Sequence, residues 1–468
     1  MNLQGNRFSP GKEKPGLGIR RLATYTALIV VAGIVYHLFQ VGKIQPFLSP
    51  TPTPTLPASS YVEQGQVFFE AGQLDDAISA YQKAVQLDPK NAAVLTELAR
   101  IQTYSSDLLI TDAQVAARLQ EAQNSINRAI QLDPNDSEEY AIEALVLDWS
   151  ADPTLVSADQ AQAMLSQANQ AAVHALQLQP NNPLALAFQA EILADQLNWS
   201  QALSIGAEAV SLAPDSMDVH RAYAKVLETS GDYNDAIQEY LKAIQINPNL
   251  AFLYLSLGVN YRFRPHATDE DEAADNELAL EAYATAARLN PLNPLPFLSI
   301  ASTYANEGEF FIAEVNAQKA LTLDPTNADI YGRLGVIYYR ARNYEGSLPV
   351  LKCAVLGCAA AENSEGSRLT GKNLSIAALP LSPSTISYFY TYGSALAFYG
   401  DCSQAEKVFT QIRASPWDAQ DVEAIIEQGE QICSNPPTAT PIIMANPLLA
   451  PTPGVPAPPA VMTVAPGG

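Results

Sequence analysis

The apolar positions between residues 218 and 248 recur at helical spacing and predict two short amphipathic helices joined by a tight turn. Gly231 and Asp232 predict the end of the first helix and the start of the second, and Pro248 predicts the end of the second. Small side chains mark where the two helices approach each other closely: Ala224, Ala236 and Ala243. Neither helix can bury its apolar face alone, so the unit requires similar neighbours on both sides.

The same unit repeats along the chain. Pro180, Pro214 and Pro248 are 34 residues apart, and each closes a phrase with an Ala five positions earlier. The phrases are AVQLDP (84–89), AIQLDP (129–134), ALQLQP (175–180), AVSLAP (209–214), AIQINP (243–248), AARLNP (286–291) and ALTLDP (320–325). An aromatic, Leu-Gly and later Tyr pattern in the first helix is clearest at Tyr331, Leu334, Gly335 and Tyr338. This arrangement resembles the tetratricopeptide repeat (TPR), a helix–turn–helix unit of about 34 residues.

The resemblance implies an all-α, right-handed superhelical solenoid. We expect about nine helix–turn–helix units and a C-terminal capping helix, preceded by one transmembrane helix. The first helices of successive TPR units line a concave groove that takes a peptide, a helix or a partner domain. In the later units the groove positions are apolar or aromatic, and the alternative is that they are core residues: Phe252, Leu255, Val259, Leu298, Tyr339 and Tyr390. Earlier units offer charge in the same row: Glu191, Asp195, Arg221 and Lys225.

Residues 22–42 carry no charge and are about as long as a membrane-spanning helix. Five basic residues precede this segment, and Lys43 just follows it. This asymmetry predicts a single-pass anchor in the cell membrane, with a cytoplasmic N-terminus and an extracytoplasmic TPR domain. A cleaved signal peptide and a buried core helix are the alternatives.

Composition divides the chain into segments. We expect a basic N-terminus (1–21), a transmembrane helix (22–42), a Pro/Thr-rich linker (43–60), TPR units one to eight (61–358), an irregular insert (359–385), a ninth unit with the capping helix (386–434) and a disordered Pro-rich tail (435–468). Two units are stretched, with inserts near 105–112 and 150–159 that we interpret as longer loops and extra helical turns. The acidic run from Asp269 to Asp275 lacks the spacing of a calcium loop and is typical of a solvated helix start.

The net charge bears on the kind of partner, and the cysteines bear on disulfide bonding. Residues 44–468 hold 20 Lys and Arg against 48 Asp and Glu, a formal charge of −28, which disfavours nucleic acid as a partner. Outside the cytoplasm, four cysteines indicate disulfides. Cys402 starts a helix and Cys433 ends the antiparallel capping helix, so we expect these two to pair. Cys353 and Cys358 are too far apart to pair within a continuous helix, but Gly357 predicts that the helix ends between them.

No catalytic motif is evident. The chain has no Gly-rich phosphate loop, no HExxH and no GxSxG, and its cysteines lack the paired spacing of a zinc site. We therefore expect no enzyme activity, metal, cofactor or small-molecule substrate, and a protein or peptide as the partner. An assembly factor for envelope polysaccharide or secretion machinery is one alternative, and an envelope enzyme supported by TPRs is a less favoured one.

Overall fold

The computed structural model describes residues 18–40, 56–415 and 420–434, which form two compact units divided after Pro57. The basic residues before Gly18, most of the predicted linker, the start of the predicted capping helix and the Pro-rich tail lie outside the described residues. In the first unit, helix α1 (Ile19–Gln40) covers most of the predicted span. Within the described part of the chain, one segment, 21–38, is long and apolar enough to cross a membrane, a criterion that a signal sequence also meets.

The second unit is an array of antiparallel helix pairs. The pairs are α2 (Ala58–Glu70) with α3 (Leu74–Leu87), α4 (Ala92–Ser106) with α5 (Asp112–Leu132), α6 (Ser137–Ser150) with α7 (Ala158–Leu178), α8 (Pro183–Asp195) with α9 (Trp199–Leu212), α10 (Met217–Thr229) with α11 (Tyr233–Ile246), α12 (Ala251–Phe263) with α13 (Asp269–Leu289), α14 (Leu295–Asn306) with α15 (Phe310–Leu323), α16 (Ala328–Arg340) with α17 (Tyr344–Val355) and α19 (Ile386–Tyr399) with α20 (Cys402–Arg413). The short helix α18 (Ser364–Thr370) precedes the last pair, and α21 (Gln420–Ser434) follows it. In the part of the chain that the structure describes, the predicted all-α solenoid of about nine units is confirmed.

The pair α10–α11 shows why the sequence folds in this way. The side chain of Ser216 accepts a hydrogen bond from the Val219 amide and caps α10. Gly231 adopts a positive φ of 86°, which ends α10 and lets the chain reverse. Asp232 then caps α11. The predicted close-approach alanines have no exposed surface: Ala224, Ala236 and Ala243.

Three second helices, α5, α7 and α13, are longer than the others, at 21 residues each. Thr111 and Ser157 cap α5 and α7 in capping boxes. The length of these two helices confirms that both stretched units contain extra helical turns. Helix α13 begins at Asp269 in the acidic run, as expected of a helix start. Its Asp275, however, is buried and accepts hydrogen bonds from Arg264 and His266.

The irregular insert 359–385 is partly buried against the eighth unit. Asn363 is almost fully buried and donates a hydrogen bond to the Tyr331 hydroxyl at 2.9 Å. Ile376 exchanges backbone hydrogen bonds with Cys358 and joins the core that surrounds α16. This segment therefore fills the side of the eighth unit.

The array curves until its first units touch its later ones. The Asn249 amide donates a hydrogen bond to the Glu70 carbonyl, and Arg100 binds the Asp218 carboxylate at 2.9 Å. The loop after α4 reaches further, because the Leu108 carbonyl accepts a hydrogen bond from the Asn293 side chain at 2.8 Å. Units one and two therefore close against units five to seven.

Candidate functional site

The contact between the early and later units covers part of the predicted groove. The ring of Tyr104, on α4, stacks on that of Phe252 with 5.2 Å between centroids. Phe252 is 1 % exposed and Leu298 is 2 % exposed, the latter in the core around α16. Both residues are therefore buried in the core, the alternative that the sequence left open, because residues distant in the sequence cover Phe252 and neighbouring repeats cover Leu298.

The remaining predicted residues fall into two places. Leu255, largely buried, and Val259 line a central cavity on the inner side of the array. Tyr339 and Tyr390 are partly buried against the core of the last two units. The structure thus does not unite the six predicted positions into one surface.

The central cavity has a volume of about 970 Å³ and is lined by the inner helices α4, α6, α8, α10, α12 and α14. Residues 106–119 and 151–165, which include both inserts, complete its wall. The departures from the 34-residue period therefore lie where the array encloses space. Such a volume is in the range of small-molecule pockets.

Acidic side chains dominate the cavity lining. Seven carboxylates face two cations, a formal charge of −5. The acids are Asp107, Asp112, Asp148, Asp152, Glu191, Asp195 and Glu228, and the cations are Arg221 and Lys225. The four charged residues noted in the sequence all belong to this set. The other five acids were missed, although Asp107, Asp112 and Asp152 lie in the two inserts that break the period.

Both cations already have partners. Arg221 donates two hydrogen bonds to Glu191, at 2.7 and 2.5 Å, and both side chains are almost fully buried. The Arg221 guanidinium also lies over the rings of Tyr104 and Trp149. Lys225 pairs with Glu228 at 2.7 Å. In the described part of the chain, no ion pair engages Asp107, Asp148 or Asp195.

These three carboxyls have raised pKa values. Burial raises the pKa of Asp107 to about 6, and burial followed by the charge of Glu191 raises the pKa of Asp195 to about 6. Burial, then the charges of Asp195 and Glu191, raise the pKa of Asp148 well above its usual range. Asp107 and Asp195 keep solvent-exposed surface although protein surrounds them, whereas Asp148 is buried.

A metal ion is one ligand that an acidic lining can hold. Among the residues that the structure describes, no three His, Cys, Asp or Glu side chains form a group that would hold a metal ion.

A second feature lies near the C-terminal end of the array. Tyr344 and Phe398 stack almost parallel with 4.6 Å between ring centroids, and Tyr339 lies 5.3 Å from Tyr344. We call these three rings the C-terminal aromatic cluster. Phe398 is 37 % exposed and the adjoining Tyr399 is 63 % exposed, so this cluster extends to the surface.

The four cysteines lie in two close pairs. The Cα atoms of Cys402 and Cys433 are 5.6 Å apart, and those of Cys353 and Cys358 are 4.7 Å apart, with both pairs in disulfide geometry. Helix α17 ends at Val355, and Gly357 takes a positive φ of 74°, which lets the chain turn back. The same turn places Cys358 beside Ile376.

Comparison with known proteins places the repeats. The family model described as TPR repeat matches residues 65–102 and 224–262. The Hsp70-Hsp90 organizing protein 2 of Arabidopsis thaliana is 25 % identical over 144 residues, which are 27 % of this chain, and the match spans 25 % of that relative.

Two similar solved structures are a thermophilic TPR protein of Thermus thermophilus and a tetratricopeptide repeat protein of Parabacteroides merdae. The first has 16 % identity and a TM-score of 0.35, and the match covers 43 % of this chain and 98 % of that one. The second has 16 % identity and a TM-score of 0.34, over 60 % and 98 %. The matched stretches identify tetratricopeptide repeats in this chain, and within the described residues nine helix pairs share their helix–turn–helix architecture; proteins with such repeats mediate protein–protein interactions.

Proposed function

We propose that this protein is a non-catalytic scaffold, anchored by one N-terminal helix, whose TPR domain binds a protein partner outside the cytoplasm. The C-terminal aromatic cluster carries the binding part of the proposal. Aromatic side chains supply much of the energy of protein interfaces, and a stacked group that reaches the surface is suited to receive a partner's apolar side chains.

Two observations support the membrane orientation. Five basic residues precede the apolar helix, which favours a cytoplasmic N-terminus. Both cysteine pairs have disulfide geometry, and such bonds persist in oxidising compartments. A retained anchor and export of the repeats are therefore mutually consistent.

Limited proteolysis of intact spheroplasts tests the topology. With the proposed orientation, added protease digests the repeat domain, while an epitope tag placed before residue 18 is protected. Protection of the repeats until lysis would refute export. A mature chain that begins beyond residue 42 would show that the segment is a cleaved signal and not an anchor.

Substitution of Tyr339, in the cluster, and of Tyr390, against the same core, tests partner binding. Cross-linking from the native membrane, followed by mass spectrometry, identifies the proteins that the wild-type chain captures. Tyr339→Ser with Tyr390→Ser should reduce capture at least about tenfold if these rings contribute as interface anchors. Phe311→Ser is a matched control, since Phe311 is 78 % exposed and lies outside the cluster.

The melting temperature separates binding from packing. Retained melting temperature with lost capture supports the docking surface. A large fall in melting temperature with unchanged capture would instead assign both tyrosines to the core.

A further inference from the structure

The described part of the chain ends close to the C-terminal aromatic cluster. Helix α21 packs against α19, the helix that carries Phe398, and Cys433 and Tyr339 contact the same core. The Cα atoms of Cys433 and Cys402 are 5.6 Å apart. Three residues separate Cys402 from Phe398, so the Cα atoms of these two are at most about 15 Å apart. The chain therefore continues beyond Ser434 from a point near the cluster.

The Pro-rich tail (435–468), which lies outside the described residues, has a distinctive composition. It holds ten Pro in 34 residues and no Asp, Glu, Lys or Arg. Pro453, Pro456 and Pro459 recur at every third position, and this spacing places side chains on one face of a polyproline II helix. Because the tail carries no charged side chain, the acidic repeats do not repel it.

The cluster has the chemistry that receives such a segment. Grooves lined by aromatic rings bind Pro-rich segments, since polyproline II is preformed and loses little conformational entropy on binding. Phe398 stacks on Tyr344 with 4.6 Å between ring centroids, and its centroid lies 6.2 Å from that of Tyr339. Phe398 and the adjoining Tyr399 keep exposed surface. Aromatic surface is therefore accessible close to where the tail begins.

We propose that the Pro-rich tail folds back onto the C-terminal aromatic cluster of the same chain and competes there with an external partner. Nineteen residues lead from Ser434 to Pro453 and span about 60 Å in polyproline form, which is more than the cluster requires. A segment tethered at this range has an effective concentration on the order of millimolar, so even weak binding covers the cluster. The competition rests on the proposed function, whereas the fold-back is measurable without a partner.

Photo-cross-linking of the full chain in detergent micelles tests the fold-back. A photoreactive amino acid replaces Ala457, between two of the spaced prolines, and mass spectrometry identifies the residues to which it links. Cross-links should fall on the cluster and on Tyr399 within one chain, and Phe398→Ser should lower their yield at least about fivefold. Phe311→Ser is the matched control and should leave the yield unchanged, because Phe311 is also an exposed phenylalanine but lies outside the cluster. The melting temperature of each variant shows that it is folded.

Changes in the tail keep the test independent of the folding of the repeats. Pro453→Ser, Pro456→Ser and Pro459→Ser together should lower the cross-linking yield, because they remove the proline rings from that face. Pro436→Ser with Pro437→Ser is the control, since these two prolines lie outside the three-residue spacing.

Partner capture from the native membrane measures the competition. The triple variant at Pro453, Pro456 and Pro459 should capture about threefold more partner than the wild-type chain, because the cluster no longer has a competitor within its own chain. No capture by either chain would refute the proposed function and the competition, while cross-links on the cluster would still support the fold-back.

Other results would overturn the proposal. Cross-links away from the cluster, or a yield that Phe398→Ser and Phe311→Ser lower equally, would refute the fold-back. Cross-links between two chains, with a yield that rises with protein concentration, would assign the tail to a second copy. Reduced capture by the triple proline variant would show that the tail belongs to the partner-binding surface and does not compete for it.

Discussion

Several charged side chains are buried at the centre of the array. Arg221 and Glu191 neutralise each other through two hydrogen bonds, and a pair of this kind is stable only while both members are present. Asp148 is buried nearby without a complete set of partners. We therefore expect the stability of the folded protein to depend on the protonation of these buried carboxyl groups.

We expect the melting temperature to rise as pH falls from about 7.5 to about 5.5. The folded-state pKa values of Asp107 and Asp195 are raised to about 6, so the folded state binds protons that the unfolded state does not. Their stabilising effect is complete below the unfolded pKa and is lost as pH rises through about 6. Scanning calorimetry at several pH values measures the change.

Asp148→Asn provides the control for this pH dependence. It should raise stability near neutral pH and make the slope shallower, because the amide cannot ionise. His220, whose pKa is raised mainly by its hydrogen bond to Glu239, contributes in the same direction. Carboxyls with lowered pKa values, such as Asp218, act only below about pH 4, outside this interval. A melting temperature that falls steadily across the interval would contradict the expectation.

Among the elements, the loop 107–111 between α4 and α5 joins parts of the array that are distant in sequence. Its Leu108 carbonyl is bound by Asn293, and Ile110 packs against the core of units seven and eight. Asp112, at the start of α5, accepts a hydrogen bond from Ser384 before the ninth unit. An insert in one repeat thus secures several others.

Asn293→Ala should release this loop. The change removes the 2.8 Å hydrogen bond to Leu108 and the cap on the Leu295 amide, at a cost of about 1–3 kcal/mol. Hydrogen exchange of the amides in 107–111 should become faster. Asn327→Ala is a matched control, because Asn327 also caps an inner helix through the Asp329 amide, and its side chain bonds to Asp324 and Asp329 rather than to this loop. Unchanged exchange in Asn293→Ala would show that Ile110 alone holds the loop.

The sequence predicts the individual helix pairs better than the contacts by which the early units close against the later ones. Each helix pair follows from a local pattern, such as the alanine before each closing proline, and all nine pairs are found. Tyr104 and Phe252 are 148 positions apart, and no periodic signal predicts that their rings stack. The local pattern therefore leaves Phe252 open between the groove and the core. The sequence indicates only part of the cavity lining, as a row of four charged residues. It does not indicate that these residues line a cavity.

At the scale of the whole molecule, an array of repeats is weakest at its ends. Helix α21 follows the last pair, and Arg413 on α20 binds both Glu423 and Glu430 on this helix. Cys402 and Cys433 connect the same two helices across 31 positions. We propose that this bond forms in the cell and secures the C-terminal end.

Cys402→Ser with Cys433→Ser should loosen this end without unfolding the array. A closed loop of this length contributes about 3–4 kcal/mol in the chain-entropy model. Hydrogen exchange should increase in α20 and α21, with little change in α4 to α12. Cys353→Ser with Cys358→Ser is the comparison, since its short loop should contribute less. Free thiols at all four positions in protein isolated from the envelope would contradict both bonds.

The closure of the array also bears on the order of events during synthesis. The Asp218 partner of the partly buried Arg100 is translated 118 residues later, and the Asn293 partner of Leu108 is translated 185 residues later. At about 5–20 residues per second, the second unit emerges several seconds or more before its contacts exist. Tyr104 therefore remains without its stacking partner on the nascent chain until the sixth unit is synthesised. Termination before that point leaves a fragment in which the surface of α4 around Tyr104 is not covered by Phe252.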